Sequence, residues 1–505
     1  MAGFTPPRGG HGSQSRSFTP VPSAYWQPPE ETKKREYWRY QDGAIFLGWL
    51  DDLPIGVKSD RHLMTVAGAR AGKTKTILIP NLLLYHGSTF VIDPKGELAS
   101  ATAEHRSKVL GHDVYVLDPW RSARDCPPEL RAQFDPLAEL HETDPDNLID
   151  DASLMAEALI LDQGENSMHW TMGARDYVRS VILHMIFGGE RDTANLAQLL
   201  ENIVLSMGDG LYLKEMEAFE PSEDCPDDVA QLIIMGAKGM TATPAKERDS
   251  ILSTARNQLG FLASTPMINS LEKSSLRLRD LKRKPVTVYL CLPAARMSTH
   301  AKWMRLILNM TMAALEVEQS KPELPVLFML EEFAALGHMR ALEQGAAYMA
   351  GFDVKLFIVI QDLTQLKRHY KNGWETFIGN LGVLTAFGNT DQTTLEYISK
   401  RLGETFSYIR ETVKQGAGAA ASGAPAVREN FQKVPLLAPH EIAQCFGRRK
   451  QTCLCMPADG PPIGIERRFV EDAGHFCEEI AAALRSRSSR HENVVASEGV
   501  SRGQS

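Results

Sequence analysis

The run Val66-Ala67-Gly68-Ala69-Arg70-Ala71-Gly72-Lys73-Thr74, inside HLMTVAGARAGKTKTILIPNLL, constrains this chain more than any other stretch. An apolar segment, Leu63 to Val66, leads into a loop of small residues. Gly-Lys-Thr follows, then an apolar run with helical spacing. That order reads as strand, phosphate-cradling loop, helix. Small residues let successive backbone N–H groups converge on phosphate oxygens, a lysine reaches the β- and γ-phosphates, and a threonine hydroxyl ligates magnesium. The N-terminus of the helix adds its partial positive charge. Ala67, Gly68, Ala69, Arg70, Ala71, Gly72, Lys73 and Thr74 are therefore the expected nucleotide-binding residues, with ATP and magnesium as ligands. The glycine that usually opens such a loop is replaced by Ala67, beside Gly68. Together with Glu331, whose side chain is longer than the usual aspartate, this predicts a softer site with modest turnover, raised by restoring glycine at 67 and aspartate at 331.

A second signal lies far downstream. Val326 to Leu330 reads as a buried strand that ends in Glu331-Glu332. A phosphate-loop ATPase needs such an acidic strand end: one carboxylate, Glu331, holds magnesium with Thr74, and the next, Glu332, polarises the attacking water. The usual first residue is aspartate, and Glu331 is one methylene longer. The strand Lys355 to Ile360 ends in Gln361, whose amide either contacts the attacking water or caps the following helix. Glu332, Gln361 and Lys73 are the expected catalytic residues. Asp391 or Thr390 reads as the N-cap of a helix over 394–402. Arg401, near that helix end, and Arg256, on a helix over 250–259, are either solvated or offered as arginine fingers to a neighbouring subunit.

Strands at 89–93, 113–117, 286–292, 326–330, 354–360 and 381–387 alternate with helical patterns and carry polar residues at their carboxyl ends. This predicts an α/β chain with a parallel sheet and its ligand site along that edge. Between 146 and 248 the apolar spacing turns purely helical (LIDDASLMAEALIL, ARDYVRSVILHMIF, TANLAQLLENIVLSM, DVAQLIIMGAKGM), an all-α insertion. The expected plan is a disordered Pro/Gly/Ser-rich segment over 1–41, a nucleotide-binding domain in two parts (42–145 and 249–470) around the all-α domain of 146–248, and a C-terminal helix with a disordered tail over 471–505. Residues 415–425 (QGAGAAASGAP) read as a flexible loop.

With 505 residues the chain is long enough for several units, and its formal net charge of -8 argues against a broadly basic surface for gripping nucleic acid. Any polyanion contact is expected to be local, as in a channel. Seven scattered cysteines without zinc spacing, Cys453 and Cys455 among them, read as buried thiols in a reducing compartment. No apolar stretch is long enough for a transmembrane helix, and the N-terminus lacks the plan of a signal peptide. The expected location is cytoplasmic, peripheral at most to the inner membrane.

Taken together, these blocks resemble the type IV secretion coupling protein family, the TraG/TraD-like ATPases of conjugation, in a form without N-terminal transmembrane helices. The resemblance runs over about 44–465. It rests on the loop and helix, FVIDPKGEL, FDPLAEL (134–140), HW and Ala174, SILSTARNQL, VTVYLCLP, VLFMLEEFAALG, IVIQDLTQLKRHY and FGNTDQTTLEYISKRLG. It implies a RecA-like P-loop NTPase core with an inserted all-α domain, assembled as a hexamer around a channel. It further implies partners: single- or double-stranded DNA carried by a relaxase complex, and secretion-channel proteins. Gln361 takes the place of the family's glutamine, and 146–248 that of its substrate-facing domain. Two rival readings are a protein-effector receptor using ATP as a switch without pumping DNA, and a docking scaffold with degenerate motifs.

Overall fold

A computed structural model describes residues 23–162, 167–188, 194–413 and 426–485. In chain order its strands are β1 (Ile45–Leu50), β2 (Leu53–Val57), β3 (His62–Ala67), β4 (Thr89–Asp93), β5 (Asp113–Leu117), β6 (Val286–Cys291), β7 (Val326–Leu330), β8 (Val354–Ile360), β9 (Leu381–Phe387), β10 (Glu404–Val413), β11 (Ala426–Pro435), β12 (Thr452–Pro457) and β13 (Ile463–Glu466). The chain divides into two compact units, residues 1–85 with 357–505, and residues 86–356.

In the first unit the strands lie in the order β2-β1-β13-β12-β9-β3-β8. β3 is parallel to both its neighbours, with Val66 opposite Ile360 and Ala67 opposite Phe387. The remaining pairs, from β9–β12 out to β1–β2, are antiparallel. Every residue of β3 and β9 is buried, as expected for central strands covered on both faces. β10 and β11 form a separate antiparallel hairpin, which the sequence pattern did not predict.

The expectation of disorder over 1–41 is corrected for 23–41. Trp38 and Tyr40 are buried, Arg39 bridges to Ile55 of β2, and the Ala24 and Gln27 amides donate to the carbonyls of Glu404 and Pro462. Two large aromatic side chains supply the buried apolar area that the Pro-rich composition seemed to lack. Residues 1–22, the loop of 415–425 and the tail beyond 485 lie outside the described residues.

The second unit carries the parallel strands β7-β4-β6-β5 and the helical region. Between β5 and β6 the described residues hold helices and no named strand. The helix Met168–Phe187 is central, packing against Leu148–Leu159, Asp227–Ala242 and Ala245–Leu259. Its long buried face, from Thr171 to Ile186, explains why the pattern read as helix without strand. The helical run continues beyond 248 through Ala245–Leu259, so 248 is not a structural break.

Buried acids stitch this unit. Asp135 accepts from the Leu137 and Leu196 amides at 3.2 and 3.1 Å, and burial pushes its carboxyl up to about 7 despite those bonds. Glu139, four residues on, accepts from the Leu278 amide at 3.0 Å and is likewise pushed up to about 7 by burial.

Candidate functional site

In the first unit, β3 delivers the phosphate loop at its carboxyl end, between β8 and β9. Ala67 is the last residue of the strand, wholly buried and paired with Phe387. The tight position is the next one. A Cβ on Gly68 would lie 2.0 Å from the Gly388 carbonyl oxygen, so only glycine fits there. The replacement noted at Ala67 therefore belongs to the strand and not to the curved part of the loop. Arg70 and Gly72 take positive φ values of 55° and 92°, which turn the chain so that Lys73 and Thr74 open a helix. Its first turn, Thr74–Leu78, is π-helical, and Ile79–Leu84 continues as α-helix. Thr76 ties back to the Gly72 carbonyl through its amide and its hydroxyl, both at 3.0 Å. Asn81 fastens the helix to β1: its side chain accepts from the Phe46 amide and donates to the Phe46 carbonyl, each at 2.8 Å.

Gln361 follows directly on β8, one residue past Ile360, which faces Val66. The register thus places it at the same carboxyl edge as the loop. Its carbonyl accepts from the Asn389 side chain at 3.1 Å. The helix Leu363–Tyr370 is capped by Asp362, which accepts from the Gln365 amide at 3.0 Å, so the capping role weighed for Gln361 belongs to its neighbour. Asp391 caps Gln392–Leu402, accepting from the Thr394 amide at 2.8 Å. Arg401 lies in the last turn of that helix, about 15 Å along its axis from the capped end, and donates to the Tyr397 hydroxyl at 3.3 Å.

Two residues that the sequence did not single out shape this edge. Arg467, just past β13, is 2% exposed and donates to the Ala71 carbonyl at 2.8 Å. Burial pulls its guanidinium down from the ordinary arginine value. Arg448 donates to the Arg70 carbonyl at 3.0 Å and, with Arg449 and Lys450, lines an open cleft of about 490 Å³.

In the second unit, Glu331 ends β7 and is buried, whereas Glu332 takes left-handed backbone angles (φ 56°, ψ 46°). That conformation is costly for a non-glycine residue and marks a constrained strand end. Ile92 pairs with Leu330, so Asp93 and Glu331 end neighbouring strands side by side. Asp93 is fully buried. One carboxylate oxygen accepts from the Ala99 amide at 2.8 Å, and the other has no hydrogen-bond partner. Burial, then the negative charge of Glu331, push Asp93 up to about 7. From the sequence, Asp93 is no more than the polar end of the strand over 89–93; FVIDPKGEL is the signal that could promote it. Arg256, on Ala245–Leu259, is exposed and contacts Asn257 at 3.4 Å.

Among the described residues no group of three or more His, Cys, Asp or Glu could hold a metal by itself. Magnesium does not demand one, since it takes one or two protein oxygens and completes its shell with phosphate and water. In the first unit the hard hydroxyl oxygen of Thr74 suits that ion, and in the second unit so do the neighbouring carboxylates of Glu331 and Asp93.

A family model described as "Type IV secretory system Conjugative DNA transfer" matches residues 17–469. The chain belongs to this family. Protein VirD4 of Rhizobium rhizogenes is 27% identical over 389 residues, covering 75% of this chain and 54% of VirD4. Conjugal transfer protein TraG of Escherichia coli is 25% identical over 433 residues, covering 82% and 65%. The chain thus spans between half and two thirds of the length of these relatives. Among solved structures, the bacterial conjugative coupling protein TrwBdeltaN70, in its unbound form, superposes with a TM-score of 0.62 at 14% identity, covering 90% of this chain and 96% of that one. TrwB in complex with the ATP analogue ADPNP gives 0.61 at 13%, covering 90% and 97%. The family therefore has here the fold expected of it, a RecA-like P-loop NTPase core with an inserted helical domain. No described helix is long and apolar enough to cross a membrane.

Proposed function

We propose that this chain is an ATP-hydrolysing coupling protein that recruits a DNA–relaxase substrate and delivers it to a type IV secretion or conjugation channel. The observation that carries the reading is the shared edge of the adjacent parallel strands β3, β8 and β9, where the loop of residues 67–74 and Gln361 lie at the same carboxyl end. TrwB has been solved with ADPNP and with ADP and Mg2+, which supports ATP and magnesium as the ligands of this loop.

In this reading Lys73 neutralises the β- and γ-phosphates, and the amides of 68–74 cradle them. Thr74 and Glu331 hold magnesium, Glu332 takes the proton of the attacking water, and Gln361 senses the γ-phosphate. Arg401, in the last turn of its helix, is a finger offered to a neighbour in a homo-oligomeric ring, a hexamer; Arg256 is the other candidate. DNA is met in the channel of that ring, in keeping with a net charge of -8 overall. The protein works at the cytoplasmic face of the inner membrane, where it meets secretion-channel proteins.

The test is the rate of ATP hydrolysis with and without single-stranded DNA, read with the oligomeric mass. Hydrolysis stimulated by DNA in a ring-sized species is the expected result. Hydrolysis indifferent to DNA would favour the effector-receptor reading, and none at all the scaffold.

A further inference from the structure

Arg467 combines deep burial with the absence of a counter-ion. Buried arginines are normally paired with a carboxylate, because an uncompensated charge in a low-dielectric interior is costly. All the partners of Arg467 are neutral. Nη1 donates to the Ala71 carbonyl at 2.8 Å and to the Thr76 hydroxyl at 3.4 Å. Nη2 donates to the Lys450 carbonyl at 2.8 Å and Nε to the Thr452 carbonyl at 3.2 Å. The guanidinium carbon lies 3.8 Å from the centroid of the Phe387 ring. Among the described residues Arg467 makes no ion pair.

Its first partner, Ala71, belongs to the phosphate loop. The carbonyl of Ala71 and the amide of Gly72 are trans across one planar peptide, so drawing the oxygen inward points the N–H outward, toward where phosphate binds. The residues after Arg467 extend the grip. A Cβ on Gly72 would lie 3.0 Å from the Phe469 ring, and the Val470 amide donates to the Lys75 carbonyl at 3.1 Å. One short strap thus fixes the loop at Ala71, Gly72 and Lys75, with a full positive charge directly behind it.

We propose that Arg467 is a positioning residue of the nucleotide site, orienting the loop amides and supplying buried positive charge that a nucleoside polyphosphate completes. This rests on the reading of the loop as an ATP site. Because the charge acts over distance, its contribution grows with the charge of the ligand, whereas a merely structural role affects all nucleotides alike.

The experiment measures binding of fluorescent N-methylanthraniloyl ATP, ADP and AMP to the full chain, wild type, Arg467→Gln and Arg467→Lys, with nucleotide-free thermal unfolding as the folding check. In Arg467→Gln, ATP affinity should fall about tenfold or more, ADP affinity less and AMP affinity least. Arg467→Lys keeps the charge but not the fork, so it should retain the preference of the wild type for ATP over AMP. An equal loss for all three nucleotides, or none, in Arg467→Gln would overturn the proposal. Should Arg467→Gln fail to fold, Arg467→Lys decides alone: a retained preference supports the proposal and a collapsed one overturns it. If the wild type bound no nucleotide, the reading of the loop itself would fail, a result distinct from normal wild-type binding with an unaffected variant.

Discussion

The phosphate loop after β3 and the acidic end of β7 are both polar termini of buried parallel strands, but their electrostatics are opposite. At the loop, backbone amides, Lys73 and the buried Arg467 accumulate positive charge, and among the described residues no carboxylate pairs with Arg467. At the end of β7, Glu331 sits beside the buried Asp93, whose carboxyl is pushed toward neutrality by desolvation and by its neighbour. On the function proposed above, the difference teaches that each terminus suits a ligand of the other sign: the loop a polyanion, the strand end a cation or a proton. The backbones reflect this too. Glycine carries the closest approach at the loop, and the left-handed backbone falls there on a basic residue, Arg70, and at the strand end on an acidic one, Glu332.

The largest expected effect breaks the positive side. Lys73→Ala should lower ATP hydrolysis by about a thousandfold, measured as phosphate release, because the charge developing on the transferred phosphoryl loses its closest cation. Breaking the negative side at Glu332→Gln should cost about a hundredfold in kcat with ATP binding retained, since proton transfer and not binding is removed. Equal loss of binding in both variants would erase the distinction between the two termini.

A smaller effect tests whether buried acids elsewhere in the second unit behave as Asp93 does. Asp135 binds its proton up to about pH 7 when folded, against an ordinary value of 3.8. Its stabilising contribution is therefore fully present below about pH 4 and lost as pH rises through 7. Asp135→Asn cannot ionise, so denaturant unfolding between pH 4 and 8 should show a shallower fall in stability across the window than the wild type. An unchanged slope would contradict the assignment. The smallest effect concerns Ala67. With its methyl wholly buried in β3, Ala67→Gly should cost about 1 kcal/mol of stability and leave turnover no higher, contrary to the expectation from loop spacing alone.

Much of this was legible in the sequence because it is local. The order of strand, small-residue loop and helix around Lys73 needs only adjacent residues, and the strand ends at Glu331 and Gln361 follow from apolar runs that stop at a polar residue. What stayed hidden depends on contacts distant in the chain. Arg467 lies 396 residues from Ala71, and nothing in ERRFVED distinguishes a buried guanidinium from a solvated one. Asp93 reads only as a polar strand end, because its desolvation comes from β6 and β7 on either side of β4. The capping role weighed for Gln361 went to Asp362, a one-residue matter that apolar periodicity does not resolve. Trp38 and Tyr40 were read through the Pro-rich composition around them, although their size alone suffices to anchor that segment.

The most direct test of the account is the ATP hydrolysis rate of the wild type with and without single-stranded DNA, set beside Lys73→Ala under the same conditions. The account predicts DNA-stimulated hydrolysis in the wild type and its loss in the variant. Hydrolysis that persists in Lys73→Ala, or a wild type that DNA leaves unchanged, would contradict it.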